Sequence, residues 1–295
     1  MTVLLPEPRS QTSVFAPDGR AIAVARWGTA GGAPIVAHHG TPGCRLDLPG
    51  SAEMLEELGV DLLMFDRAGY GRSDRLLDRS VAAAAADTAT VADALGIERF
   101  GVYGVSGGGP HSLACAALLG DRVARTACVV GVGPFAVPDL EFYDGLNELS
   151  VAEFEIALRG RAAMEEYVEP FVAATRSVSS AVMDEWGAEL PEPDREAYYG
   201  TPQARALLER ALAESMAVSG SGWVDDGLAF VAPWGFELAQ IGTPVAIWAG
   251  EIDRLVPVAH ARYMAERIPD AELHVVPGRG HALDDGPILE WLAAG

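Results

Sequence analysis

Three residues of this chain could together activate a nucleophile, although they stand far apart in sequence. They are Ser106 in Gly104-Val105-Ser106-Gly107-Gly108, Asp253 in Gly250-Glu251-Ile252-Asp253, and His281 in Gly278-Arg279-Gly280-His281. A serine hydroxyl is a poor nucleophile until an imidazole takes its proton. The imidazole in turn needs a carboxylate to fix its tautomer and to stabilise the imidazolium that forms. Such a set attacks carbonyl carbon and passes through a covalent acyl intermediate.

The flanking sequence predicts how these groups are held. Val102 to Val105 read as the end of a short buried strand, and Ser112 to Leu119 as a buried helix. Ser106 therefore falls on a sharp strand-to-helix turn, where small neighbours relieve the crowding of a strained backbone. Pro110 suits the first helical turn, which needs no N–H at that point. Thr243 to Ala249 and Glu272 to Val276 read as strands, so Asp253 and His281 also follow strand ends. Open α/β sheets place their ligand chemistry at the carboxyl ends of their strands. A Gly-x-Ser-x-Gly turn, an aspartate after a strand and a histidine in a glycine-rich loop are each commonplace alone. Their occurrence at successive strand ends is not.

The rivals are weaker by position. His274 lies within a strand, His260 lies on a helix, and His111 is on the helix after the serine, as packing or pocket lining. His38 and His39 precede and shape the loop Gly40-Thr41-Pro42-Gly43. Asp225 and Asp226 come before the sheet pattern resumes and read as helix-capping residues. Stabilising an oxyanion takes two backbone N–H groups. Gly107 supplies one at a helix start, where the dipole helps. Pro42 has no N–H and Gly40 gives room for close approach, so Thr41 is the expected second donor. His39, Gly40, His111, Phe135 and Trp223 are the residues expected to meet the substrate.

Composition narrows the classes. All 21 basic residues are arginine, which excludes Schiff-base, pyridoxal phosphate and P-loop chemistry, each of which needs a lysine. A net charge of -21 repels nucleic acid and anionic membranes. Three widely spaced cysteines (Cys44, Cys115, Cys128) form neither a metal pattern nor a disulfide framework, which fits reduced thiols in the cytoplasm. No metal and no cofactor is expected, no signal peptide or membrane span is read, and the partner is a small-molecule substrate. A homodimer is compatible with the sequence.

Along the chain, Ser13 to Phe15 and Ala21 to Ala25 read as a hairpin turned by Pro17-Asp18-Gly19. Strands then alternate with helices, which predicts a mainly parallel sheet covered on both faces. Ser80 is the expected cap of an alanine-rich helix to about Leu95. From Pro134 to Gly222 the rhythm becomes helical: Ser150-Val151-Ala152-Glu153 reads as a capping box, and Thr201-Pro202 as a helix start. Residues 1–133 and 223–295 are thus expected to form one α/β core carrying a helical insertion at 134–222.

The sequence resembles the α/β-hydrolase superfamily over nearly its whole length. His39-Gly40-Thr41-Pro42 resembles its His-Gly-x-Pro oxyanion motif, and Asp66-x-x-Gly69-x-Gly71-x-Ser73 resembles the loop after the next strand in many members. Gly250-Glu251-x-Asp253 and Gly280-His281 resemble its acid and histidine motifs. The resemblance implies an α/β-hydrolase fold with a triad of Ser106, Asp253 and His281, and makes 134–222 the cap. The serine at the elbow disfavours haloalkane dehalogenase and epoxide hydrolase activity, whose nucleophile is Asp. The reading is a cofactor-independent carboxylic ester hydrolase for a small, largely apolar ester, lactone or related acyl compound. The alternatives are acyl transfer, perhydrolysis, aminopeptidase or C–C bond hydrolysis by the same triad, or a non-catalytic ligand-binding protein.

Overall fold

The computed structural model describes residues 4–177 and 187–295. Part of the expected insertion, 178–186, lies outside the described residues. Eight strands form one sheet in the order β1-β2-β4-β3-β5-β6-β7-β8. The expected hairpin is β1 (Ser10–Phe15) and β2 (Ala21–Gly28), antiparallel to each other, with β2 also antiparallel to β4 (Val60–Phe65). From β4 through β3 (Ala33–His38), β5 (Phe100–Val105), β6 (Val123–Val129), β7 (Val245–Gly250) and β8 (Glu272–Val276) every pairing is parallel.

Parallel strands need crossover helices, which bury both faces of the sheet. That is why β4 is buried at every position. α1 (Ala52–Glu57), α2 (Ala83–Ala94), α3 (Gly108–Leu118), α9 (Val258–Ala265) and α10 (Gly286–Ala293) supply the cover. Leu62, Met64 and Ile35 pack with Ile288, Leu289 and Leu292 on one face, and Leu63, Phe65 and Val36 with Val91 and Ala92 on the other. The chain leaves β3 toward β4 and leaves β5 toward β6, in opposite directions. A crevice therefore opens between β3 and β5 at their carboxyl ends.

Between β6 and β7 the described residues hold helices and no strand: α4 (Glu148–Leu158), α5 (Arg161–Ser177), α6 (Glu192–Tyr199), α7 (Pro202–Ser215) and α8 (Ser221–Phe230). Thr201 caps α7 as expected, its hydroxyl accepting the Ala204 N–H at 3.0 Å. Two other caps differ. Asn147, not Ser150, caps α4: its Oδ1 accepts the Ser150 N–H at 2.8 Å, while its own N–H is held by the Arg254 carbonyl at 2.7 Å. Ser150 is thus already helical. Ser80 gives no side-chain cap, because the Ala82 N–H is taken by the Trp234 carbonyl and the helix starts at Ala83.

The expected boundary at 222/223 falls inside α8. Trp223 and Val224 pack into a cluster with Met164, Val168, Leu212 and Tyr70, whereas Ala229 and Phe230 pack with Leu113 and Val81 of the sheet layer. One helix thus shares two cores. The three cysteines are free and buried. No described helix is long and apolar enough to cross a membrane.

Candidate active site

Ser106 follows β5 with φ at 55°, the left-handed region that side chains rarely occupy. The turn is held by the Ser106 N–H, which donates to the Val129 carbonyl at 2.8 Å, and by the Gly109 N–H, which donates to the Ser106 carbonyl at 2.9 Å. Glycine is required beside it. A Cβ on Gly104 would lie 2.3 Å from the Gly108 carbonyl oxygen, and one on Gly108 would lie 2.2 Å from that of His38. The Gly-x-Ser-x-Gly spacing is the packing requirement of strand, turn and helix pressed together.

The loop after β3 flanks this turn. A Cβ on Gly40 would come within 3.7 Å of the Ser106 Cβ, and one on Gly107 within 2.2 Å of the Thr41 hydroxyl. Among the described residues, no protein acceptor engages the N–H of Thr41 or that of Gly107.

Asp253 and His281 are brought together from the loops after β7 and β8. His281 Nδ1 lies 2.8 Å from Asp253 Oδ2, and Asp253 Oδ1 accepts the N–H groups of Leu255 and Val256 at 2.8 and 3.0 Å. An ionised carboxylate can only accept, so Nδ1 carries the proton and Nε2 presents its lone pair. Burial alone would lower the pKa of His281. The charge and hydrogen bond of Asp253, with the charge of Asp194, outweigh that and raise it. Among the described residues, no hydrogen bond closes from Ser106 Oγ to His281 Nε2; catalytic contacts of this kind commonly tighten only when substrate is bound.

The sequence profile of the alpha/beta hydrolase fold family matches residues 33–283. The chain belongs to that family. This alpha/beta hydrolase is 28% identical over 284 residues to the non-heme haloperoxidase of Rhodococcus erythropolis, a match spanning 92% of either protein. Its backbone is similar to that of an esterase from Exiguobacterium antarcticum, with a TM-score of 0.67, 21% identity and 97% and 100% of the two chains covered. It is also similar to the enol-lactonase from Burkholderia xenovorans LB400, at a TM-score of 0.63, 19% identity and 90% and 91% coverage. These two structural likenesses speak to the fold. Family membership supports hydrolase activity.

The residues expected to meet substrate in this alpha/beta hydrolase are placed differently from one another. His39 is buried, its Nδ1 donating to the Gly40 carbonyl at 2.7 Å and its Nε2 accepting the Arg67 N–H at 3.2 Å, so it braces the loop. Gly40 lies against Ser106. Phe135 is half-buried and packs edge-on to Phe142 at 4.9 Å. Trp223 is 1% exposed and spends its N–H on Glu153 at 2.7 Å, and burial pushes that carboxyl up to about 7. His111 is wholly buried, with Nε2 3.1 Å from Asp226 and Nδ1 3.2 Å from the Val81 carbonyl.

Asp226 is the residue whose part the sequence reading missed. Instead of capping a helix, it gathers a buried network. Its Oδ2 accepts from Thr41 Oγ1 at 2.7 Å, Arg67 Nη2 at 2.6 Å and the Tyr70 hydroxyl at 2.8 Å, and its Oδ1 accepts from Arg79 Nη1 at 2.6 Å. Burial would raise its pKa, but Arg67 and Arg79 hold it well below the usual carboxylate range. Arg67 also donates to the carbonyls of His39 and Gly40. The loop beside Ser106 is thus tied, through Arg67 and directly through Thr41, to a helix residue 185 positions after Thr41. Asp194, not singled out by the sequence reading, is likewise wholly buried, against the His281 loop.

Proposed function

We propose that this alpha/beta hydrolase is a serine hydrolase that cleaves a small, largely apolar ester, lactone or related acyl compound through an acyl-enzyme. The observation that carries the reading is the His281–Asp253 pair: a buried imidazole with its Nδ1 committed and its basicity raised, at the same sheet edge as a serine held at φ 55°. Ser106 Oγ attacks the carbonyl carbon and His281 Nε2 takes its proton. The oxyanion is met by the N–H groups of Thr41 and Gly107. The carbonyl re-forms, the C–O bond to the leaving group breaks, and that group takes the proton from His281. Water then enters, gives a proton to His281 and attacks the acyl carbon. Release of the acid returns the proton to Ser106. No cofactor is needed for these steps. The helical segment 134–222 acts as the cap that shapes the acyl pocket, with Phe135 among its candidate lining residues.

The test is intact-protein mass spectrometry after treatment with a fluorophosphonate, followed by an ester and lactone panel. One adduct at Ser106, absent from Ser106→Ala and His281→Ala, is expected. No adduct on the wild type would sink the reading in favour of a ligand-binding role. Activity should fall as pH drops through the raised pKa of His281, since the protonated imidazole cannot act as a base. Perhydrolysis is the second reading, favoured by the haloperoxidase name of the 28%-identical relative. Hydrogen peroxide would then replace water as acyl acceptor, and peracid in the product would identify it.

A further inference from the structure

The triad accounts for one carboxylate at His281, yet a second one holds the same residue from behind. Asp194 sits in the first turn of α6, in the helical segment, and is 0% exposed. Its Oδ2 accepts the His281 N–H at 2.8 Å and its Oδ1 accepts the Ala282 N–H at 2.9 Å. The histidine loop is shaped to receive it: a Cβ on Gly280 would lie 2.2 Å from Asp194 Oδ2. Glycine before the histidine therefore makes room for the carboxylate.

Two charge-assisted hydrogen bonds from adjacent N–H groups fix a loop more firmly than neutral ones would. His281 is thus held at both ends, its backbone by Asp194 and its ring by Asp253. Among the described residues, the charges acting on the imidazole are Asp253, from the loop after β7, and Asp194, from α6. Tyr198, one turn further along α6, has its hydroxyl pushed well up by burial and, after that, by the charges of Asp194, Asp47, Asp253 and Asp285. Among the described residues, this corner sets negative charge around the imidazole and no arginine acts on it.

We propose that Asp194 is a positioning residue, through which the helical segment fixes the His281 loop and supports the imidazolium that forms during catalysis. The proposal rests on the reading of His281 as the base. Asp194→Asn is the central variant. Its amide can accept at one oxygen only, turns N–H toward the second N–H, and carries no charge. A displaced base costs turnover more than binding, so kcat should fall about 10- to 100-fold with KM within about twofold. The acid limb of the kcat/KM profile, and the titration midpoint of the His281 imidazole followed by NMR, should both move to lower pH. Asp194→Glu keeps the charge but displaces it, so kcat should fall while the acid limb stays. Asp194→Ser, neutral and with one acceptor, replaces the Asn variant should that one not fold.

A merely structural Asp194 would lower stability without moving the midpoint. An unchanged midpoint in the neutral variant, on a protein whose wild type is labelled at Ser106, overturns this role and leaves the triad standing. A wild type that takes no label overturns the triad reading and this proposal with it.

Discussion

Among the described residues two buried histidine–aspartate pairs meet, and the contrast between them shows what sets the basicity of an imidazole. His281 meets Asp253 at 2.8 Å, and His111 meets Asp226 at 3.1 Å. By distance alone either could be half of a triad, and His111 even lies on the helix that Ser106 introduces. Their surroundings are opposite. Asp253 gives its second oxygen to two backbone N–H groups, and among the described residues no arginine acts on the imidazole, whose pKa is raised. Asp226 is already engaged by Arg67, Arg79, Tyr70 and Thr41. Burial, then Arg67 with Arg79, lowers His111 to about 4 against the pull of Asp226. A carboxylate makes its neighbour basic only while its charge is not claimed elsewhere. On the proposed function the first pair moves a proton, whereas the second ties a loop to a helix.

The largest expected effect breaks the first pair. His281→Gln or Ser106→Ala should lower kcat on a responsive ester by roughly 10^5- to 10^6-fold, as measured in serine hydrolases where either member is lost. Asp253→Asn should cost roughly 10^4-fold, by presenting the wrong tautomer with the geometry intact. Breaking the second pair should be felt in stability instead. Asp226→Ala leaves Arg67 and Arg79 buried without a counter-charge, a loss of ~3–5 kcal/mol, read from urea midpoints. If Asp226→Ala unfolds no more easily than wild type, the network is not what holds the loop.

The smallest effect separates the pairs by pH. The folded pKa of His111 is depressed from 6.5 to about 4, so the unfolded chain binds the extra proton between those values. Stability from this group is full above pH 6.5 and is lost as pH falls toward 4, by on the order of 3 kcal/mol. His38 and His39, also buried and held low, act in the same direction. His111→Gln should flatten this part of the stability curve while leaving the acid limb of activity where it was. Movement of that limb would mean that His111 takes part in the chemistry.

The sheet and the first pair could be read from the sequence because each rests on a local pattern. Gly104 is forced by Gly108, four residues on, so the elbow spacing shows in the chain itself, and β7 and β8 announce Asp253 and His281 with apolar runs. What stayed hidden depends on packing between distant segments. Asp226 follows Asp225 in an unremarkable acidic pair, and nothing nearby names Arg67 or Arg79 as its partners. Asp194 sits 87 residues before the N–H it accepts. Ser150-x-x-Glu153 fits a capping box, but tertiary contacts claim both ends of that pattern: Arg254 fixes Asn147 as the cap, and Trp223 takes the Glu153 carboxylate.

Helix α8 and its aspartate carry a consequence for modularity. Because Trp223 and Phe230 belong to different cores on one helix, and Asp226 pairs with two buried arginines, the helices from α4 to the end of α8 are no interchangeable attachment. A chimera that replaced them with another protein's helices would inherit Arg67 and Arg79 stranded in an apolar interior. Divergence among relatives that alters this segment must either keep an aspartate at that place or lose the arginines in the same lineage. New specificities are then more accessible by exchanging single side chains on α4, α5 and α7 than by exchanging the segment whole.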